Sequence, residues 1–234
     1  MASTPWPRCG GAQCPVPPPD QSIIAKVATV DIKRGEVRWR GHDQQRPPHE
    51  LVPGLGSARF TPLPGLHHTY VGATRTVAIL ESALHEASGP GATILLAALR
   101  HNVLSLVELR RSVTVADLRD DQLEHLGLER SELVTRGPMH DPCTRAWAAA
   151  ILRAHSVDGI VWHSRQADLH AQANPGGLLA DVLHHAPVEV AVLWAPPNAG
   201  ALLAHEGTTE PLVENGRPAR VVLELSELIR VPIE

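Results

Sequence analysis

Apolar and polar positions alternate from Val37 to Arg40, with Val37 and Trp39 on one side and Arg38 and Arg40 on the other. That is the period of a half-buried strand. Residues 41–66 contain Pro47, Pro48, Pro53, Gly54 and Gly56 and read as a long loop. Loops of this length are uncommon in compact domains and are often functional. Thr69–Ala73 reads as a short strand. Thr74 then stands as an N-cap for a helix running to about Ala87, where Gly89-Pro90-Gly91 stops it. Two apolar runs, Ile94–Ala98 and Val103–Leu109, read as strands, the first being compatible with helix as well. Val115–Leu133 is a charged segment with helical pieces. Thr144–Ala154 is a helix with Trp147, Ala150, Ile151 and Ala154 on one stripe. Asp158-Gly159 turns into Ile160–Ser164, a strand of the fully buried kind, and Val188–Trp194 is another. Val213–Ile233 reads as a hairpin around Glu214-Asn215-Gly216. Strands and helices mix without strict alternation, which predicts an α+β fold.

Composition narrows the class. A chain of 234 residues with 43% hydrophobic content can bury a core without disulfides. Residues 1–20 are rich in Pro, Gly and Cys, with polyproline at Pro15–Pro19, and are expected to be a flexible tail. Residues 21–234 carry no second linker and no repeat, so one domain is expected there. A net charge of -4 gives no reason to expect nucleic acid or anionic lipid as the main partner. The first residues lack the apolar segment of a secretory signal, and no apolar run is long enough for a membrane helix. A soluble, cytoplasmic protein is expected. The three cysteines, Cys9, Cys14 and Cys143, are no disulfide framework. Cys9 and Cys14 form a C-x₄-C pair without a second pair, so no metal site is expected. The histidine pairs His67-His68 and His184-His185 are expected at the surface.

Several residues stand out against this background. Glu81 shares a helix stripe with Val77, Ala78 and Leu84, where a carboxylate loses hydration and needs a partner. It is either a pocket acid or a salt-bridged residue at the edge of the core. Arg40 and Arg59 offer planar paired donors that suit phosphate or carboxylate, and Arg38 reads as part of a solvated strand face. Tyr70, the chain's one tyrosine, can stack on a flat ring or sit in the core with its hydroxyl at the edge. Ser164 ends an apolar strand, a good place for a pocket hydroxyl and also a common strand terminator. Walker A, Rossmann, nucleophile-elbow and zincin patterns are all absent.

These residues together resemble the RES domain, named for its Arg, Glu and Ser. The matching stretches are VRWRGH (Val37 to His42), SARFTP (Ser57 to Pro62), TYVGATRTVAILES (Thr69 to Ser82) and VDGIVWHSR (Val157 to Arg165). They occur in the family's order over about residues 36–195, and the Tyr70-to-Glu81 spacing fits. Of the two early arginines, Arg40 stands directly before Gly41-His42, where the family's strand ends. Two positions depart: Ala58 stands where the family has Gly, and Thr61 where it has Asn.

The resemblance implies a fold like that of ADP-ribosyltransferases and NAD⁺ as substrate. Some members split NAD⁺ with inorganic phosphate as co-substrate, giving nicotinamide and ADP-ribose 1″-phosphate. Others transfer ADP-ribose to a protein, and several are toxins held by an antitoxin that occludes the pocket. On this resemblance Glu81 is the central carboxylate, Arg40 and Arg59 hold phosphate groups, Tyr70 packs on the nicotinamide or its ribose, and Ser164 hydrogen-bonds the nicotinamide end. The departures at Ala58 and Thr61 leave a non-catalytic NAD-binding module as the alternative of another class.

Overall fold

The computed structural model describes residues 9, 14–54, 58–84, 92–134, 138–164 and 188–234. In chain order its strands are β1 (Thr29–Ile32), β2 (Val37–Asp43), β3 (Val52–Pro53), β4 (His67–Gly72), β5 (Asn102–Leu109), β6 (Val113–Asp117), β7 (Gly159–His163), β8 (Glu189–Ala195), β9 (Leu203–Pro211), β10 (Val213–Glu214) and β11 (Arg217–Pro218). The helices are α1 (Gln21–Ile24), α2 (Arg75–Ser82), α3 (Leu96–Leu99), α4 (Asp120–His125), α5 (Arg130–Leu133), α6 (Asp141–His155) and α7 (Arg220–Ile229). The fold is α+β, as the pattern predicts.

The main sheet runs β1-β6-β7-β8-β4-β2-β5-β9, with β3 added to β4. The β6–β7 pair is parallel and the other pairs are antiparallel. Ile32 of β1 shares one buried cluster with Val107 and Leu109 of β5, although those strands lie far apart in the order. The sheet therefore curls. Its inner face buries Val71, Val161, Ala191 and Leu193. On the other face Trp162, Val192 and Trp194 pack with Trp147 and Ile151 of α6. The Asp158-Gly159 pair stitches this together. Asp158 takes a forked pair of bonds from Arg111 (2.7 and 3.2 Å) and one from the Thr114 amide (3.0 Å). At Gly159 a Cβ would run into the Val192 carbonyl of the neighbouring strand.

Several elements differ from the sequence pattern. The loop over 41–66 is interrupted, because β2 continues to Asp43 and β3 pairs with β4. Ile94 makes one bridge to Ile233 and the run then turns into α3. The charged segment from Val115 begins inside β6 before its helices α4 and α5. β1 and β9 escape the pattern because both lie at sheet edges, where polar side chains face water. The expected C-terminal hairpin shrinks to β10–β11, turning at Asn215 and Gly216 with φ of 51° and 75°. Val222, Leu225 and Ile229 then repeat at helical spacing and are buried, which makes α7. Within residues 1–20, Val16 is fully buried and the Pro17 carbonyl accepts a 2.8 Å bond from the Trp147 indole. Val16 and Pro17 thus belong to the packed body rather than to a free tail. α2 ends at Ser82, and the Gly89-Pro90-Gly91 stop, Arg165 and His184-His185 lie outside the described residues.

Candidate functional site

α2 starts where expected: the Thr74 side-chain oxygen accepts a 3.2 Å bond from the Val77 amide. Val77, Ala78 and Leu84 are buried, so the stripe containing Glu81 does face inward. The helix lies unusually close to β2 and β4 because glycines stand beneath it. A Cβ on Gly72 would lie 2.7 Å from the Ala78 backbone nitrogen, and one on Gly41 would collide with the Ser82 side chain. This approach brings the Glu81 carboxylate down to the sheet. A cavity of about 20 Å³ forms there, lined among others by Trp39, Gly41, Tyr70, Gly72, Glu81 and Ser82.

Ser164, just past the end of β7, reaches the Glu81 carboxylate. The Ser164 hydroxyl, fully buried, donates to Glu81 Oε1 at 2.6 Å. Ser164 is itself held on two sides. Its amide donates to the Val188 carbonyl (2.8 Å), and Arg130 Nη2 donates to the carbonyls of His163 (2.8 Å) and Ser164 (3.0 Å). The Arg130 guanidinium was not legible as a site residue, because it reaches the strand end from the distant helix α5.

Arg59 sits in a tight turn. Ala58 and Thr61 exchange two backbone bonds of 3.2 and 3.1 Å, and Phe60 takes the left-handed conformation at φ 68°. The conformationally special position is Phe60, so alanine fits at position 58 without strain. Phe60 is buried against Trp162, ring centroids 5.2 Å apart. From α6, Thr144 Oγ1 accepts from the Phe60 amide (3.4 Å) and Arg145 Nη1 donates to the Thr61 carbonyl (3.3 Å). Tyr70 ties the turn to the carboxylate cavity. Its hydroxyl donates to the Arg59 carbonyl at 2.5 Å and lies 2.6 Å from Thr61 Oγ1, while its ring lines the cavity. Burial pushes the Tyr70 phenol up, with the Thr61 hydrogen bond and the Arg59 charge pulling the other way and Asp141 and Glu81 adding to the rise. Glu81, Ser164, Tyr70 and the Arg59 turn thus form one neighbourhood. Thr61, the departure from the family's Asn, is part of it.

Arg40 is placed differently. It shares its face of β2 with Arg38 and His42, while Trp39 and Gly41 line the Glu81 cavity. The residue is 3% exposed, and its guanidinium donates to the Pro48 carbonyl at 2.5 Å. Burial holds its pKa down at about 10, with Glu50 opposing that shift and Arg46 reinforcing it. Strand alternation thus turns Arg40 to the side of β2 opposite the residues that line the Glu81 cavity. Arg38 pairs with Glu36 and is not a solvated residue, its side chain being 15% exposed. His68 also departs from expectation. It is buried rather than at the surface, and burial, reinforced by the charges of His67 and Arg40, holds it down at about 4.

A larger cavity, about 560 Å³, is lined by Pro53, Gly54, Leu63, Leu66, His67 and Arg145 among others. It has no carboxylate among its described lining, so size and chemistry point to different places. The carboxylate lies at the smaller cavity, with Glu81. No cluster of metal-binding side chains lies at Glu81 among the described residues; one forms at the start of α6.

A curled α+β sheet carrying a helix-borne carboxylate hydrogen-bonded to a strand-end serine defines the class. The chain belongs to the RES-domain family: the RES domain model matches residues 36–204. Among solved structures, a chain of the M. tuberculosis MbcT–MbcA toxin–antitoxin complex superposes with a TM-score of 0.52 at 15% identity, covering 81% of this chain and 89% of that one. That likeness shows a shared fold. No curated protein matches this chain. Among the described residues no helix is long and apolar enough to cross a membrane.

Proposed function

We propose that this chain binds NAD⁺ and breaks its nicotinamide–ribose bond at the Glu81 cavity, with inorganic phosphate as acceptor. The observation that carries the reading is the 2.6 Å bond from buried Ser164 to Glu81 Oε1, which orients a carboxylate on the inward stripe of α2. A fixed negative charge suits the reaction because positive charge builds on the ribose as the bond to nicotinamide lengthens. Preorganised by Ser164, Glu81 needs no rearrangement to stabilise that charge. A phosphate oxygen then bonds to the ribose carbon as nicotinamide leaves with the bonding pair, giving ADP-ribose 1″-phosphate.

The other residues take supporting roles in this proposal. Arg59, carried on its turn by Tyr70, supplies positive charge for the pyrophosphate or the incoming phosphate. The Tyr70 ring packs beside the nicotinamide end. Arg40 acts at one remove, by holding the Pro47-Pro48 stretch of the loop. Membership of the RES family and the fold shared with a chain of a toxin–antitoxin complex support a further part of the proposal: the chain is a toxin, and a cognate antitoxin covers the cavity.

Incubation of the chain with NAD⁺, with and without phosphate, tests this. Nicotinamide and ADP-ribose 1″-phosphate are expected, formed only when phosphate is present. Labelled protein instead of the free phosphate ester would replace phosphorolysis by ADP-ribosyl transfer. Binding without any release would make the chain a non-catalytic NAD module.

A further inference from the structure

All three cysteines of the chain converge on one place, and a histidine joins them. Cys9 and Cys14 lie ahead of α1, His140 immediately precedes α6, and Cys143 is in its first turn. Cys14 Sγ is 3.5 Å from Cys143 Sγ and 3.6 Å from His140 Nδ1. The ligand atoms of Cys9, Cys14 and His140 all lie within 4.8 Å of one another. The Cys9 amide donates to Cys143 Sγ at 3.4 Å. In a tetrahedral zinc site with Zn–S of about 2.3 Å and Zn–N of about 2.0 Å, the S···S edge is about 3.8 Å and the S···N edge about 3.5 Å. The two separations from Cys14 are close to those edges, while Cys143 stands outside the mutually close set of Cys9, Cys14 and His140 and becomes the fourth ligand by a turn of its side chain. The S···S separation is far longer than the roughly 2.05 Å of a disulfide.

We propose that Cys9, Cys14, His140 and Cys143 form a closed Cys₃His site for a structural zinc ion. The ligands arrive as two short motifs, C-x₄-C and H-x₂-C, which is the pairwise arrangement structural zinc sites use. The sequence offers only the first motif as a pair. The second combines two residue types and lies more than a hundred positions away (|i−j| = 126 from Cys14 to His140), so nothing local connects them. Four protein ligands leave no open position, so the ion has a structural and not a hydrolytic role.

The site would pin the N-terminal segment to the first turn of α6. Neighbouring contacts already run the same way, through buried Val16 and the Trp147–Pro17 bond. That same turn carries Thr144 and Arg145, which hold the Phe60 amide and the Thr61 carbonyl. Zinc would therefore brace the support beneath the Arg59 turn from behind. The proposal is independent of which reaction the Glu81 site performs.

Metal analysis of the full chain, purified without added metal or chelator, tests it. About one zinc per chain is expected. The chelated chain reloaded with cobalt(II) should show the intense visible bands and sulfur charge-transfer absorption of a tetrahedral thiolate site. Cys143 is buried and its replacement risks the fold, so Cys9→Ser, at a half-exposed position, is the decisive variant. It should stay folded, lose zinc to a chelator that the unaltered chain resists, and give a changed cobalt spectrum. Chelation of the unaltered chain should lower its melting temperature. A chain without bound zinc and without a thiolate–cobalt spectrum would overturn the proposal. So would a Cys14–Cys143 disulfide in a non-reducing peptide map, or a Cys9→Ser variant that holds metal as tightly as the unaltered chain.

Discussion

Glu81 occupies a position where an unpartnered carboxylate would be costly, and Ser164 offsets part of that cost with a short bond. A hydrogen bond to a charged group contributes about 1.5–3 kcal/mol. Ser164→Ala is therefore expected to lower the rate of nicotinamide release by roughly 10- to 100-fold. The fold should be kept, because only a hydroxyl is removed. Near-unchanged turnover with a folded variant would mean that Ser164 does not orient the carboxylate. Glu81 and Tyr70 stand out in the pattern, as an acid on an apolar stripe and a lone tyrosine feeding that helix, but the pattern leaves both roles open and only the family resemblance assigns them. The side of the strand on which Arg40 lies was not legible. Its family position says that an arginine stands there, but the parity of the strand decides which side it faces, and Trp39 and Gly41 take the cavity side. Thr61 and Arg130 carried no signal, since their roles depend on partners in Tyr70 and in the end of β7.

At the scale of elements, the site depends on how closely α2 sits on β2 and β4. Gly72 faces the Ala78 backbone, which cannot move without moving the helix. Gly72→Ala is expected to destabilise the chain by about 1–3 kcal/mol, the usual cost of overpacking. It should also lift Glu81 away from Ser164, so activity should fall further than the stability loss explains. Urea unfolding and the rate of nicotinamide release, measured on the same variant below its unfolding transition, separate the two effects. The elements that the pattern located well, β2, the start of α2, α6, β7 and β8, are those with strong periodicity or a capping signal. β1 and β9 were missed because edge strands carry exposed polar residues. The pattern reads α7 as part of a hairpin because the Asn215-Gly216 turn is real but ends after two residue pairs.

For the whole molecule, two buried histidines set a pH dependence. His68 is held down from its ordinary 6.5 to about 4 by burial, with His67 and Arg40 adding to it, and His42 is also held low, mainly by burial. Between those values the unfolded chain binds a proton at His68 that the folded chain refuses. This contribution to stability is complete above about pH 6.5 and is lost as the pH falls toward about 4. The loss is of order 3 kcal/mol from His68. Thermal unfolding followed from pH 7.5 to pH 4.5 should show the melting temperature falling with acid, and His68→Gln should flatten that slope. An unchanged slope in the variant would assign the acid sensitivity to other groups. The α+β class followed from the mixed order of strands and helices. The curl of the sheet did not, since it gathers residues of β1 and β5 into one buried cluster that no local pattern encodes.

The most direct test of the account is the comparison of the chain with Glu81→Gln in NAD⁺ and phosphate, with products separated by chromatography. The variant keeps the shape and removes the charge. Nicotinamide and ADP-ribose 1″-phosphate are expected from the unaltered chain, with at least a ~100-fold loss in the variant. Equal rates from both would show that the bond is broken without Glu81 and would contradict the site described here.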